Sequence, residues 1–188
     1  MPRTAAETRA HILQVAADLF YRKGIRATGV DLVAARAGVA PTTLYRLFPS
    51  KDDLVGAYVE RADRDFRAVV AAAVAGAGSE PRDQILAIFD AAHALITAED
   101  FRGCAMTMTL TEFPDPELPA HRNAVEGKAW ERRTLGELTE RLGVDDPDEL
   151  ADHLALILEG MLATGQSLGP NGPVTRGRRL AEAVLALG

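Results

Sequence analysis

Hydrophobic positions recur along this chain at the three-and-four spacing of α-helices almost from end to end. Ile12, Val15, Ala16, Leu19 and Phe20 fall at i, i+3, i+4, i+7 and i+8, one apolar stripe of a helix. Thr4 and Glu7 form a capping box that starts it, and Gly24 ends it. A short helix is expected over 30–36, capped by Thr28 or Gly29, with Val33 and Ala34 inward. Pro41 to Leu47 predicts another, with Leu44 inward. After Leu47-Phe48-Pro49, Ser50 caps a long helix with acids in its first turn, stopped near Gly76. Later elements are a helix from Pro81, a nearly uncharged one over 104–113, and a long polar one over 120–142. Asp146-Pro147-Asp148-Glu149 then opens a helix that is apolar on most sides, and a last helix follows Gly169-Pro170-Asn171-Gly172-Pro173. The predicted fold is all-α.

The two short helices carry the chemistry. Gly38 lies where the first must stop and reverse, a position that wants positive φ and therefore glycine. The second exposes Thr42, Thr43, Tyr45 and Arg46 and buries Leu44. Two short helices, a glycine turn and a polar outer face describe a helix-turn-helix, whose second helix enters the DNA major groove. Tyr45 also admits a second reading, as a core aromatic with its hydroxyl at the surface.

Composition supports the helical reading, since only 5% of residues are aromatic while alanine and leucine abound. Charge refines it. The formal net charge of −6 conceals a basic start: residues 1–51 hold eight Lys/Arg against three acids, and the remainder holds 13 against 24. That asymmetry is expected if the first quarter alone meets phosphate, although a solvated basic face would show it too. The single cysteine, Cys104, allows no internal disulfide and fits a reducing cytoplasm. MPRTAAETRAHIL lacks the apolar run of a signal peptide, and the uncharged stretch from Ala68 to Ser79 is too short to span a bilayer. The expectation is a soluble cytoplasmic protein without membrane contact.

On ILQVAADLFYRKGIRAT and VAARAGVAPTTLYRLFPSK, the chain resembles the TetR family of bacterial transcriptional regulators. GCAMTMTLTEFPDPELP is also similar to a segment of one subgroup. The resemblance implies an N-terminal three-helix helix-turn-helix DNA-binding domain over 1–50, leading into a connecting helix over 51–75. A larger helical ligand-binding and dimerisation domain would fill 51–188. It implies a homodimer joined through the last two helices as a four-helix bundle, a palindromic duplex operator, and a repressor role. A small effector in the body would move or reorient the two heads.

Carried over residue by residue, the DNA-binding set is Thr28, Pro41, Thr42, Thr43, Tyr45, Arg46 and Lys51. Thr42, Thr43 and Arg46 are candidates for base edges, because hydroxyls bond several bases and arginine pairs bidentately with guanine. Tyr45 and Lys51 suit phosphates, which fix register without reading sequence. Gly29 and Ala40 stand where the family often has hydroxyl residues, so phosphate bonds there are not assumed. The effector set is Phe89, His93, Met106, Met108, Leu110, Phe113, Trp130, Met161 and Gln166. It suggests a mainly apolar ligand anchored by His93 or Gln166, while each Met or aromatic also reads as plain core. The dimer set is Leu154, Ile157, Leu158, Gly160, Met161, Thr164, Leu180 and Val184.

Catalysis and metal binding find little purchase. His11, His93, His121 and His153 lie on four different predicted helices, without HExxH, a Cys/His cluster, GxSxG or a glycine-rich phosphate loop. No metal and no cofactor is expected. Two alternatives remain: an all-helical enzyme, and a redox-sensing regulator using Cys104 at a helix N-terminus. Against the second, lone cysteines commonly serve as small buried hydrophobes.

Overall fold

The computed structural model describes residues 3–187. Among them the chain is helical throughout: α1 (Ala5–Lys23), α2 (Val30–Ala37), α3 (Pro41–Leu47), α4 (Lys51–Gly76), α5 (Pro81–Thr97), α6 (Ala105–Glu112), α7 (Pro119–Glu140), α8 (Pro147–Leu168) and α9 (Gly177–Val184). A 3-10 turn, Pro173–Arg176, precedes α9. The capping box is formed: the Thr4 amide donates to Glu7 Oε2 at 2.7 Å, and the Glu7 amide donates to Thr4 Oγ1 at 3.2 Å. Those bonds hold the Glu7 carboxyl below its ordinary pKa. At α8, Asp146 Oδ1 accepts the Glu149 amide at 2.9 Å.

The chain folds as two compact units, and the division is not a single cut. The first takes in residues 3–63 together with Ala105–Glu126; the second takes in Arg64–Cys104 and Gly127 onward. A boundary near residue 50 was expected, but α6 and the start of α7 fold with the head.

In the first unit Ile12, Ala16, Leu19 and Phe20 of α1 close over Val33, Ala34 and Ala37 of α2, Leu44 of α3, and Leu54, Val55 and Tyr58 of α4. Phe20 and Tyr58 meet edge to face, with ring centroids 5.6 Å apart. Met106, Phe113, Ala120 and Ala124 supply the later segment's share of this core. Gly56 lets that segment approach: a Cβ there would lie 3.0 Å from Pro119 Cβ, and its carbonyl accepts from Asn123 Nδ2 at 3.0 Å.

The second unit packs α5, α8 and α9 around Ile85, Phe89, Ile96, Leu135, Leu154, Leu158 and Met161. Gly165 sits against Ile96 and Gly177 against Met161, so close that a Cβ at either would collide. One charged group lies inside this apolar body. Glu131 is 4% exposed, and Lys128 bridges it at 3.2 Å while also pairing with Glu159. Burial pushes the Glu131 carboxyl up to about 7 despite the lysine. Burial also opposes the Lys128 charge, yet the fields of Cys104, Glu131 and Glu159 outweigh it and raise its pKa above the usual lysine value.

Candidate nucleic-acid interface

The helix-turn-helix begins where α1 stops. Gly24 takes φ +91°, its amide still donating to the Phe20 carbonyl. Thr28 is fully buried, and its hydroxyl donates to the Gly24 carbonyl at 2.8 Å and lies 3.5 Å from that of Leu19. This corrects the expectation that Thr28 meets DNA: its side chain is turned into the fold and ties the loop together. Gly29 leaves α2 without a side-chain cap.

Gly38 takes φ +65° and ψ 34°, the left-handed conformation a side chain resists, and its amide closes α2 onto Ala34 and Ala35. His11 of α1 braces the same corner, its Nε2 hydrogen-bonded to the Ala37 carbonyl at 3.1 Å. Pro41 begins α3 at its first turn, and only Leu44 of that helix is buried. Leu44 and, just past the helix, Phe48 anchor it, with the Arg9 guanidinium 4.6 Å from the Phe48 ring centroid.

The outward face is therefore set by what the inward face does. Pro41, Thr42 and Arg46 are exposed, Thr43 is half-buried, and Tyr45 is 46% exposed. Tyr45 thus lies at the surface rather than in the core. Lys51, half-buried at the start of α4, has Nζ 3.5 Å from the Arg26 carbonyl. Hydroxyls and an arginine on one short exposed helix, within a stretch 1–51 that holds eight Lys/Arg against three acids, are groups that hydrogen-bond base edges.

The effector candidates divide between the two units. Met106 and Phe113 are buried in the first, beside half-buried Met108 and Leu110. In the second, Phe89 and Met161 are core, His93 is half-buried and Gln166 is exposed, close to Gly103. Trp130 packs edge-on to Phe66 and under the Arg67 guanidinium, 4.7 Å from its ring centroid. The fully buried members already have packing partners, so they reach a ligand only if the core repacks.

Three dimer candidates are corrected. Leu154, Leu158 and Met161 face their own chain's core and are buried there. The opposite face of α8 offers Leu156, 70% exposed, with Ile157, Gly160 and Thr164; α9 and the chain beyond it add Leu180, Val184 and Leu187. They line two adjoining apolar grooves of about 530 and 550 Å³. Leu156 and Leu187 were missed, although a helical wheel finds Leu156: Leu150, Leu154, Leu158, Met161 and Gly165 form one stripe, and Leu156 lies off it.

A short, exposed, polar helix seated by a glycine turn on a three-helix head defines a helix-turn-helix DNA-binding regulator. The family description "Bacterial regulatory proteins, tetR family" matches residues 12–58. SCO4454, a TetR-family transcriptional regulator from Streptomyces coelicolor, is 35% identical in a superposition that covers 96% of this chain and 95% of that one, with a TM-score of 0.91. The HTH-type transcriptional regulator YjdC of Escherichia coli is 26% identical over 94% of this chain and 93% of its own. The HTH-type transcriptional repressor Rv3405c of Mycobacterium tuberculosis is 43% identical over 60 residues, 32% of each chain. The chain belongs to the TetR family of transcriptional regulators, which bind DNA and are not enzymes. No helix among the described residues is long and apolar enough to cross a membrane.

Proposed function

We propose that this protein is a cytoplasmic repressor that binds a palindromic operator as a homodimer and releases it when a small, mainly apolar effector enters the helical body. The exposed face of α3, with Thr42, Thr43 and Arg46 held outward by buried Leu44, carries the reading. Arg46 would pair with guanine, the threonines would bond neighbouring bases, and Tyr45 and Lys51 would hold phosphates. One such helix makes few contacts. Two on a palindrome multiply them, and the exposed apolar face of α8 and α9 supplies a surface for joining two copies. Selection of bound duplexes from a random-sequence pool tests this. A palindrome with half-sites about one helical turn apart, or a multiple of that, is expected; recovery of no common sequence would count against it.

A second reading keeps the DNA head but replaces the effector by oxidation. Cys104 is half-buried and directly precedes the first residue of α6 in sequence. If peroxide releases DNA from the wild type, Cys104→Ser should abolish the release; release unchanged in the variant rejects this reading.

A further inference from the structure

The helix α6, AMTMTLTE, carries one charged residue, Glu112. Its carboxylate does not serve as a solvated end group. Oε1 accepts the Ile25 amide at 3.1 Å and Oε2 accepts the Arg26 amide at 2.7 Å. Arg26 reciprocates, its Nε donating to the Glu112 carbonyl at 2.9 Å and its guanidinium lying 5.9 Å from the Phe113 ring centroid. All four residues belong to the first compact unit. Each bond to the carboxylate is charge-assisted, and the Ile25 amide belongs to a residue only 2% exposed, where an unpaired donor is costly.

The segment so held is the one that enters the helix-turn-helix. It leaves α1 at Gly24, where a Cβ would lie 3.8 Å from Glu112 Oε1, and it reaches α2 through buried Thr28. The Thr28 amide donates to Ile25 and its hydroxyl to Gly24, so the loop's internal bonds fix its shape. Glu112 fixes that shape to an element outside the three-helix head, some 86 residues away along the chain.

We propose that Glu112 is a positioning residue for DNA binding: by capping the Ile25 and Arg26 amides it sets where the chain enters α2, and so where the α3 face lies. This rests on the reading that α3 binds DNA. The acid touches no base or phosphate; it acts through the loop. Arg26 completes the interlock through its Nε, which donates to the Glu112 carbonyl.

The test uses full-length Glu112→Ala and Glu112→Gln with the palindromic duplex selected by the wild type, well below the melting temperature. Hydrogen exchange at residues 25 and 26 reads the cap, and fluorescence anisotropy reads the affinity. In Glu112→Ala the two amides lose protection and affinity falls about tenfold or more, the scale of one charge-assisted bond. Glu112→Gln keeps one acceptor oxygen and falls between the alanine variant and the wild type. A merely stabilising contact would leave affinity unchanged while the protein stays folded. Amides that remain protected in Glu112→Ala, or affinity within twofold of wild type after protection is lost, overturns the proposal. A wild type that binds no duplex overturns it too, and exchange then separates that failure of the DNA reading from absence of the cap.

Discussion

Replacing Thr28 by valine separates two roles that this position could play. Valine matches threonine in shape and leaves no cavity, so the change removes the hydroxyl alone. In the structure that hydroxyl is wholly buried and donates to the Gly24 carbonyl at 2.8 Å. The substitution leaves that carbonyl short of a donor in a loop that no water reaches from the Thr28 side. A buried polar group so orphaned costs about 1–2 kcal/mol. For a chain of this size, that lowers Tm by about 3–6 °C at fixed protein concentration. The DNA side of the experiment is a salt titration of binding. Each phosphate contact contributes about 0.9 to the slope of log K against log salt. With Thr28 inside the fold, the slope is the same in wild type and variant, even if affinity drops because the loop loosens. An unchanged Tm with a slope smaller by about one would refute the reasoning and return Thr28 to the DNA surface.

Leu156→Glu places a charge on an 70% exposed side chain, so the folded monomer should tolerate it. Sedimentation at micromolar concentration should then show a monomer, with DNA affinity reduced at least a hundredfold as the second head is lost; a dimer of unchanged affinity would move the interface elsewhere. Glu131→Gln tests the buried charge, which faces Lys128 and Glu159. Because the folded carboxyl titrates near 7 rather than 4.5, the folded state binds more protons than the unfolded one between those values. Stability from this group is therefore present at acid pH and is lost as pH rises to about 7, by at most about 3 kcal/mol. Glu131→Gln should flatten that part of the profile in urea denaturation, and an identical slope in both proteins would contradict the assignment.

Local signals in the sequence carried far into the fold. The Thr4–Glu7 box, Gly38, Pro41 and Asp146-Pro147 each act within three or four residues, and the helices begin and end where they predict. The outward face of α3 was equally legible, because Leu44 leaves the other positions little choice. What failed was information held between distant segments. Thr28 reads as a polar loop residue until its partners at Leu19 and Gly24 are known. The helical wheel sets Leu156 apart from Leu154 and Leu158, but which of the two faces of α8 packs on its own chain is decided by α5 and α9. Glu112 ends a helix like many acids; nothing local indicates that its partners lie at residues 25 and 26. The same holds for the discontinuous first unit, since no composition change marks 105–126 as part of it.

If α3 reads base edges, Arg46 supplies the discriminating contact. This is tested most directly by selecting duplexes from one random pool with the wild type and with Arg46→Ala, at the same salt concentration. The wild type should select a palindrome, and the variant should lose one guanine preference in each half-site, a discrimination of about 1–3 kcal/mol. Identical preferences at every position in the two selections would contradict it.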